Sequence, residues 1–157
     1  MSRKHWLLKT EPSVFSFDDL LKAPKKTSGW DGVRNYQARN LLRDEMAKGD
    51  GLLIYHSNVG MAVVGVAEVA RAGYPDPTQF DPKHDHYDEG AKSDEPRWFQ
   101  IDVKAVKKLK HPVSLERIKA DKLLQGIGLT RKGNRLSVQP VSEEHFARIV
   151  KLGESGE

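Results

Sequence analysis

The sequence predicts an α+β domain in which a mixed, largely antiparallel and curled sheet is framed by helices. Three observations point there. Residues 97–109 alternate, with Phe99, Ile101, Val103 and Ala105 on one face and Gln100, Asp102 and Lys104 on the other. Residues 51–57 and the valine-rich residues 62–72 read as a hairpin turning at 58–60. Segments around these carry the caps and the apolar spacing of helices.

In chain order, residues 5–10 form a short first strand, with Trp6 and Leu8 on one face and Leu7 and Lys9 on the other. Glu11-Pro12 ends it, because proline has no amide proton to give to a ladder. Ser16-Phe-Asp-Asp19 has the form of a capping box and opens a short helix. Residues 24–29 read as a polar loop. A helix is expected from about Tyr36 to Lys48, where Ala38, Leu41, Leu42 and Met46 make a buried stripe and Gly49 suits the end. After the hairpin, residues 74–96 form an irregular stretch with four prolines, the kind of loop that is functional or mobile. One or two short helices are expected within 112–124. Residues 125–135 form a loop rich in glycine and basic side chains. Residues 136–139 make a last strand, and Ser142 caps a final helix bearing Phe146, Ile149, Val150 and Leu152. The tail from Gly153 is expected to fray. With 157 residues and no repeat or linker, one domain is expected.

Lys and Arg total 26 against 22 Asp and Glu, a net charge of +4. That excess suits an anionic partner and equally an ordinary solvated surface. The absence of cysteine excludes disulfides, thiolate zinc sites and a thiol nucleophile. The first ten residues hold too short an apolar run for a signal peptide, and no segment nears the roughly 20 apolar residues that span a membrane. A soluble protein is expected, cytoplasmic in a bacterium or nuclear in a eukaryote, with no membrane partner.

Catalytic equipment is sparse. His56 and Ser57 adjoin at a strand end, but neighbours in a strand point to opposite faces, which speaks against a serine using that histidine as base. Nucleophile elbow, phosphate-binding loop and zinc-protease helix are all missing from the sequence. Glu11 is a lone acid or base. His84 and His86 lack the partner spacing of a metal site. No catalytic residue, metal or cofactor is expected. Recognition is better supplied. Residues 29–40 read Gly-Trp-Asp-Gly-Val-Arg-Asn-Tyr-Gln-Ala-Arg-Asn, an aromatic ring, a glycine turn, an arginine and an amide ahead of a helix. This suits a planar polar ligand such as a nucleobase. Trp30 and Trp98 either stack on such a ligand, or fill core and cover a loop. Arg34 and Asn35 either read its edge, or serve as a surface charge and a helix cap. Tyr55, His56 and Ser57 end a strand, where site residues and ordinary sheet ends look alike.

The runs from Trp6 to Pro12, Trp30 to Asn40 and Tyr55 to Ser57 resemble the EVE domain family, as do Tyr74 to Phe80, Pro96 to Trp98 and Leu136 to Pro140. The resemblance covers nearly the whole chain. It implies a PUA-like fold, a curled β pseudo-barrel flanked by α-helices and related to the YTH domains that read methylated adenine in RNA. It also implies a pocket for a flipped-out modified base, with modified cytosine in DNA the favoured ligand. RNA, as in YTH domains, is the alternative, and a nucleoside or small-molecule ligand, or its hydrolysis, stands behind these. Carried over by motif, the pocket takes Lys9 and Glu11 from the first strand's end and Trp30, Val33, Arg34 and Asn35 from the loop. Tyr55, His56 and Ser57 come from the central strand and Trp98 from the long one. Trp30 and Trp98 are candidate walls, and Asn35 and Ser57 candidate partners for the base edge. Arg34, Arg39, Arg131, Lys132 and Arg135 are candidate phosphate contacts. A monomer is expected.

Overall fold

A computed structural model describes residues 3–134 and 136–156. Its elements are β1 (His5–Thr10), α1 (Phe17–Lys22), β2 (Thr27–Gly29), α2 (Tyr36–Asn40), β3 (Gly51–His56), β4 (Ala62–Pro75), β5 (Phe99–Ser114), α3 (Leu115–Ala120), β6 (Val138–Val141) and α4 (Glu143–Ser155). The strands form one mixed sheet in the order β2-β5-β4-β3-β1-β6. Among the described residues only β1 and β3 run parallel, and every other ladder is antiparallel.

Strand alternation feeds two cores. Trp6, Leu8, Leu52, Ile54, Ile101 and Val103 enter an inner cluster with Phe17, Trp30, Ala38 and Leu42. Leu7, Leu53, Tyr55 and Val66 enter an outer cluster closed by Ile118, Phe146, Ile149 and Leu152 from α3 and α4. Near-continuous apolar runs such as Leu52-Leu53-Ile54 follow from burial on both faces. Four register shifts interrupt the β4–β5 ladder, and bulges of this kind bend and twist a sheet. Between them β5 changes sides, sending Ile101 to Ala105 inward and Leu109 and Val113 to the outer cluster. Gly65 marks a close approach: the Phe17 ring occupies the space a Cβ would need.

Several boundaries differ from the sequence expectation. Residues 27–29, read as loop, form β2, pairing with residues 102–104 of β5. The expected helix to Lys48 keeps α-helical bonding only to Asn40. A wider turn follows, closed by the Met46 N–H on the Leu41 carbonyl at 3.0 Å, so Leu42 and Met46 still reach the core. β5 extends through Pro112. Among the described residues no strand pairs with its outer side beyond Lys104, and Pro112 falls in the interrupted stretch of the β4–β5 register between Lys108 and Val113. The last helix continues past Gly153. It runs to Ser155, buries Gly153 against Leu109, and ends on Gly156 at φ 75° with its N–H on Leu152. The capping box at Ser16 and Asp19 forms as expected. No described helix is long and apolar enough to cross a membrane.

Candidate functional site

The loop of residues 30–35 lies where the two ends of the curled sheet meet. β2 brings Ser28 and Gly29, the end of β1 brings Lys9 and Thr10, and Ser137 comes from just before β6. The Lys9 N–H donates to the Ser137 carbonyl at 2.8 Å. Among the described residues no ladder joins β2 to β6. The gap is a cleft of about 490 Å³, lined also by Glu11, Val14, Phe15, Trp30, Asp31, Gly32, Val33, Arg34 and His86.

Trp30 is core and cleft lining at once. It is 8% exposed and part of the inner core, and it meets Phe15 edge-on at 5.9 Å. The part left uncovered lines the cleft, and its indole N–H has no partner among the described residues. Its backbone N–H, on the Ile101 carbonyl at 2.8 Å, prolongs the β2–β5 pairing into the loop.

Arg34 is a rivet. Nε and Nη2 donate to the His86 carbonyl at 3.2 and 2.6 Å, Nη2 also to Thr78 Oγ1 at 3.2 Å, and Nη1 to the Val33 carbonyl at 3.1 Å and to Asp76 at 3.0 Å. A guanidinium has five N–H donors, and all are committed. Asp76 is fully buried and also accepts from the Gly32 N–H at 2.9 Å and the Thr78 N–H at 2.8 Å. Burial alone would push its carboxyl up, but the bonds from Thr78, Gly32 and Arg34 outweigh that and hold it below the usual carboxylate range. Gly32 must be glycine twice over. Its φ is 82°, and a Cβ would strike the His86 ring.

The 74–98 stretch is clamped to the sheet. Buried Gln79 donates to the Asp76 and Trp98 carbonyls, both at 2.7 Å, and accepts from the Arg97 and Trp98 N–H groups. Trp98 lies outside the cleft lining. Its indole N–H donates to Asp88 at 2.6 Å, Tyr36 stacks on it at 4.9 Å, and the Arg34 guanidinium lies 5.4 Å from its ring. It braces the rivet from behind.

Other expected residues scatter. Lys9 and Glu11 line the cleft without an ion pair among the described residues, and burial holds the Lys9 ammonium below its ordinary value. Tyr55 is 3% exposed in the outer core. His56 Nε2 accepts from the Phe17 N–H at 3.1 Å, and the Ser57 N–H donates to the Thr10 carbonyl at 2.9 Å. These bonds fix α1 and the strand ends; none of the three side chains lines the cleft. Asn35 caps α2, its Oδ1 accepting from the Ala38 N–H at 3.0 Å, and faces a neighbouring cleft of about 770 Å³. Arg131 and Lys132 line that second cleft. Arg39 does not; it donates to the Arg97 carbonyl at 2.9 Å and lies over Tyr36. Arg135 lies outside the described residues. Sequence reasoning missed Phe15, Asp31, His86 and Ser137, which only the tertiary fold brings together. It also missed that Asp31 joins His84 and His86, with ligand atoms within 4.8 Å of one another. His84 Nδ1 already accepts the His86 N–H at 3.0 Å.

Burial, which lowers the His56 pKa, favours its neutral form in the folded state. Stability from this group is then full above the unfolded value of about 6.5 and declines as pH falls below it. Melting curves between about pH 7 and 5 should slope less in His56→Gln, whose amide oxygen accepts from Phe17 at every pH. An unchanged slope would show that His56 does not carry this dependence.

The EVE domain model matches residues 4–152. The chain belongs to the EVE domain family. Thymocyte nuclear protein 1 of Mus musculus is 41% identical over 96% of this chain and 74% of its own. A hypothetical protein from Leishmania major superposes with TM-score 0.90 at 42% identity, over 97% of this chain and 95% of that one. The human THYN1 protein, solved in complex with 5-methylcytosine-containing DNA, superposes with TM-score 0.89 at 38% identity, over 97% and 98%. This EVE domain thus gathers Lys9, Glu11, Trp30, Val33 and Arg34 at one cleft, with Asn35, Arg131 and Lys132 at the next.

Proposed function

We propose that this EVE domain is a non-catalytic reader of modified cytosine in DNA, taking the flipped-out base into the 490 Å³ cleft. The observation that carries the reading is the set of polar groups around Trp30, of which Asp31 lies 3.6 Å from His86 Nδ1. Lys9 and the Trp30 indole N–H can donate, while Glu11 and Asp31 can accept. Cytosine offers the complement, an amino donor beside ring acceptors on its pairing edge. The DNA complex of the human relative supports the same ligand class.

The energetics set the selectivity. Extruding a base costs a few kcal/mol, and stacking on Trp30 returns about 1–3 kcal/mol. Burying one methyl adds only about 0.8 kcal/mol. Discrimination for 5-methylcytosine over cytosine is therefore expected to stay below about tenfold unless a polar group meets the modification. Arg131 and Lys132 supply phosphate contacts from the second cleft.

The test is titration of matched DNA and RNA oligonucleotides carrying cytosine, 5-methylcytosine, 5-hydroxymethylcytosine or N6-methyladenine at two salt concentrations. Tighter binding of modified cytosine in DNA is expected. Equal, weak, salt-sensitive binding to every oligonucleotide would sink the reading. Arg131→Ala and Lys132→Ala should each reduce the slope of log K against log salt by about 1 and weaken all sequences alike.

A further inference from the structure

The second cleft is more than a patch of positive charge. Gln139 lines it and is 2% exposed. Its Nε2 donates to the Leu136 carbonyl at 2.8 Å, which fixes the amide's orientation. Its Oε1 has no partner among the described residues. On a side chain otherwise buried and held in place, this acceptor is open to a donor that enters the cleft. Gly128 keeps the way open, since a Cβ there would stand 3.1 Å from that oxygen. Arg131 and Lys132, neither in an ion pair among the described residues, flank it.

The two clefts adjoin along two stretches of chain. Arg34 lines the first and Asn35 the second; Ser137 lines the first and Leu136 the second. Consecutive Cα atoms are about 3.8 Å apart, so the two clefts lie side by side, as successive nucleotides of one strand do.

We infer that the second cleft holds the nucleotide adjacent to the extruded base and selects one with an exocyclic amine, which donates to Gln139 Oε1. The inference rests on the base-reading function above. Adenine, cytosine and guanine carry an exocyclic amine and thymine does not. The domain then reads a modified base together with its neighbour.

The experiment titrates the whole chain, followed by backbone amide shifts, with 5-methyl-dCMP and with dinucleotides joining 5-methylcytidine to dA, dC, dT or an abasic residue on either side. Dinucleotides with dA or dC in one polarity should bind about tenfold tighter than the dT and abasic forms. They should shift amides of 126–134 as well as 28–34. Gln139→Leu should remove that preference and leave mononucleotide binding unchanged. Gly128→Ala, which covers Oε1 and keeps Gln139, should do the same if loss of the buried amide disturbs the fold. Mononucleotide binding as tight as any dinucleotide, with shifts confined to 28–34, would overturn the second site and leave the base reader standing. An equal gain from every dinucleotide, the abasic one included, would reduce the site to a phosphate contact and overturn neighbour selection. No shift at 28–34 with any ligand would overturn both readings.

Discussion

Trp30→Ala is expected to lose both binding and much of the fold's stability. The ring is 8% exposed, packs in the inner core and stands edge-on to Phe15. Truncating a buried aromatic of this size costs about 3–5 kcal/mol, against a total of about 5–15 kcal/mol for an ordinary domain. Trp30→Phe separates the two roles. It keeps an aromatic face on the core and removes the indole N–H from the cleft. Its melting temperature should fall much less than that of the alanine variant, while affinity for the modified oligonucleotide still drops. If Trp30→Ala melts and binds like the unaltered chain, the ring neither packs nor stacks as described.

Arg34→Ala is expected to weaken binding without touching the phosphates. All five guanidinium donors are engaged inside the protein, one of them with fully buried Asp76. Breaking a buried pair costs about 3–5 kcal/mol, and the 23% exposure of the arginine side chain places this one toward the lower end. The loop carrying Trp30 and Gly32 would then lose its anchor to the 74–98 stretch. Arg34→Lys should not rescue it, because a single ammonium cannot replace a five-donor fork. The discriminating measurement is salt dependence. A phosphate-contacting arginine lowers the log–log slope by about 1 when removed. For Arg34 the slope should hold while the melting temperature falls, and a reduced slope with unchanged melting would reverse the assignment.

Arg34 also shows why the sequence was only partly legible. Periodicity in 97–109 and the hairpin at 58–60 gave the sheet, because those signals are local. β2 was not visible: three residues with no alternation form a strand only because β5 offers them a partner. The Trp30 loop was legible as a place but not as a set of roles. Whether an arginine faces solvent or a buried aspartate is decided by Asp76 and His86, which approach it only after the 74–98 stretch folds back. The same holds for Trp98. Its ring could wall a ligand or cover a loop, and the Asp88 acceptor and the Tyr36 ring supply the covering contact. Glycines were better guides. Gly32 is required by its own backbone as well as by its neighbour, so the turn could be read directly.

The open seam between β2 and β6 has a thermodynamic consequence. The cleft's walls come from chain segments near 9–11, 28–34, 86 and 137, held together by the curl and not by a closing ladder. A molecule seated there acts as the missing rung. It binds the folded chain and not the unfolded one, so occupancy raises the melting temperature in step with ligand concentration. At a hundredfold excess over Kd the gain is about 2.7 kcal/mol. Heat resistance itself becomes a readout of recognition, and a panel of nucleosides and short oligonucleotides can be ranked by melting alone.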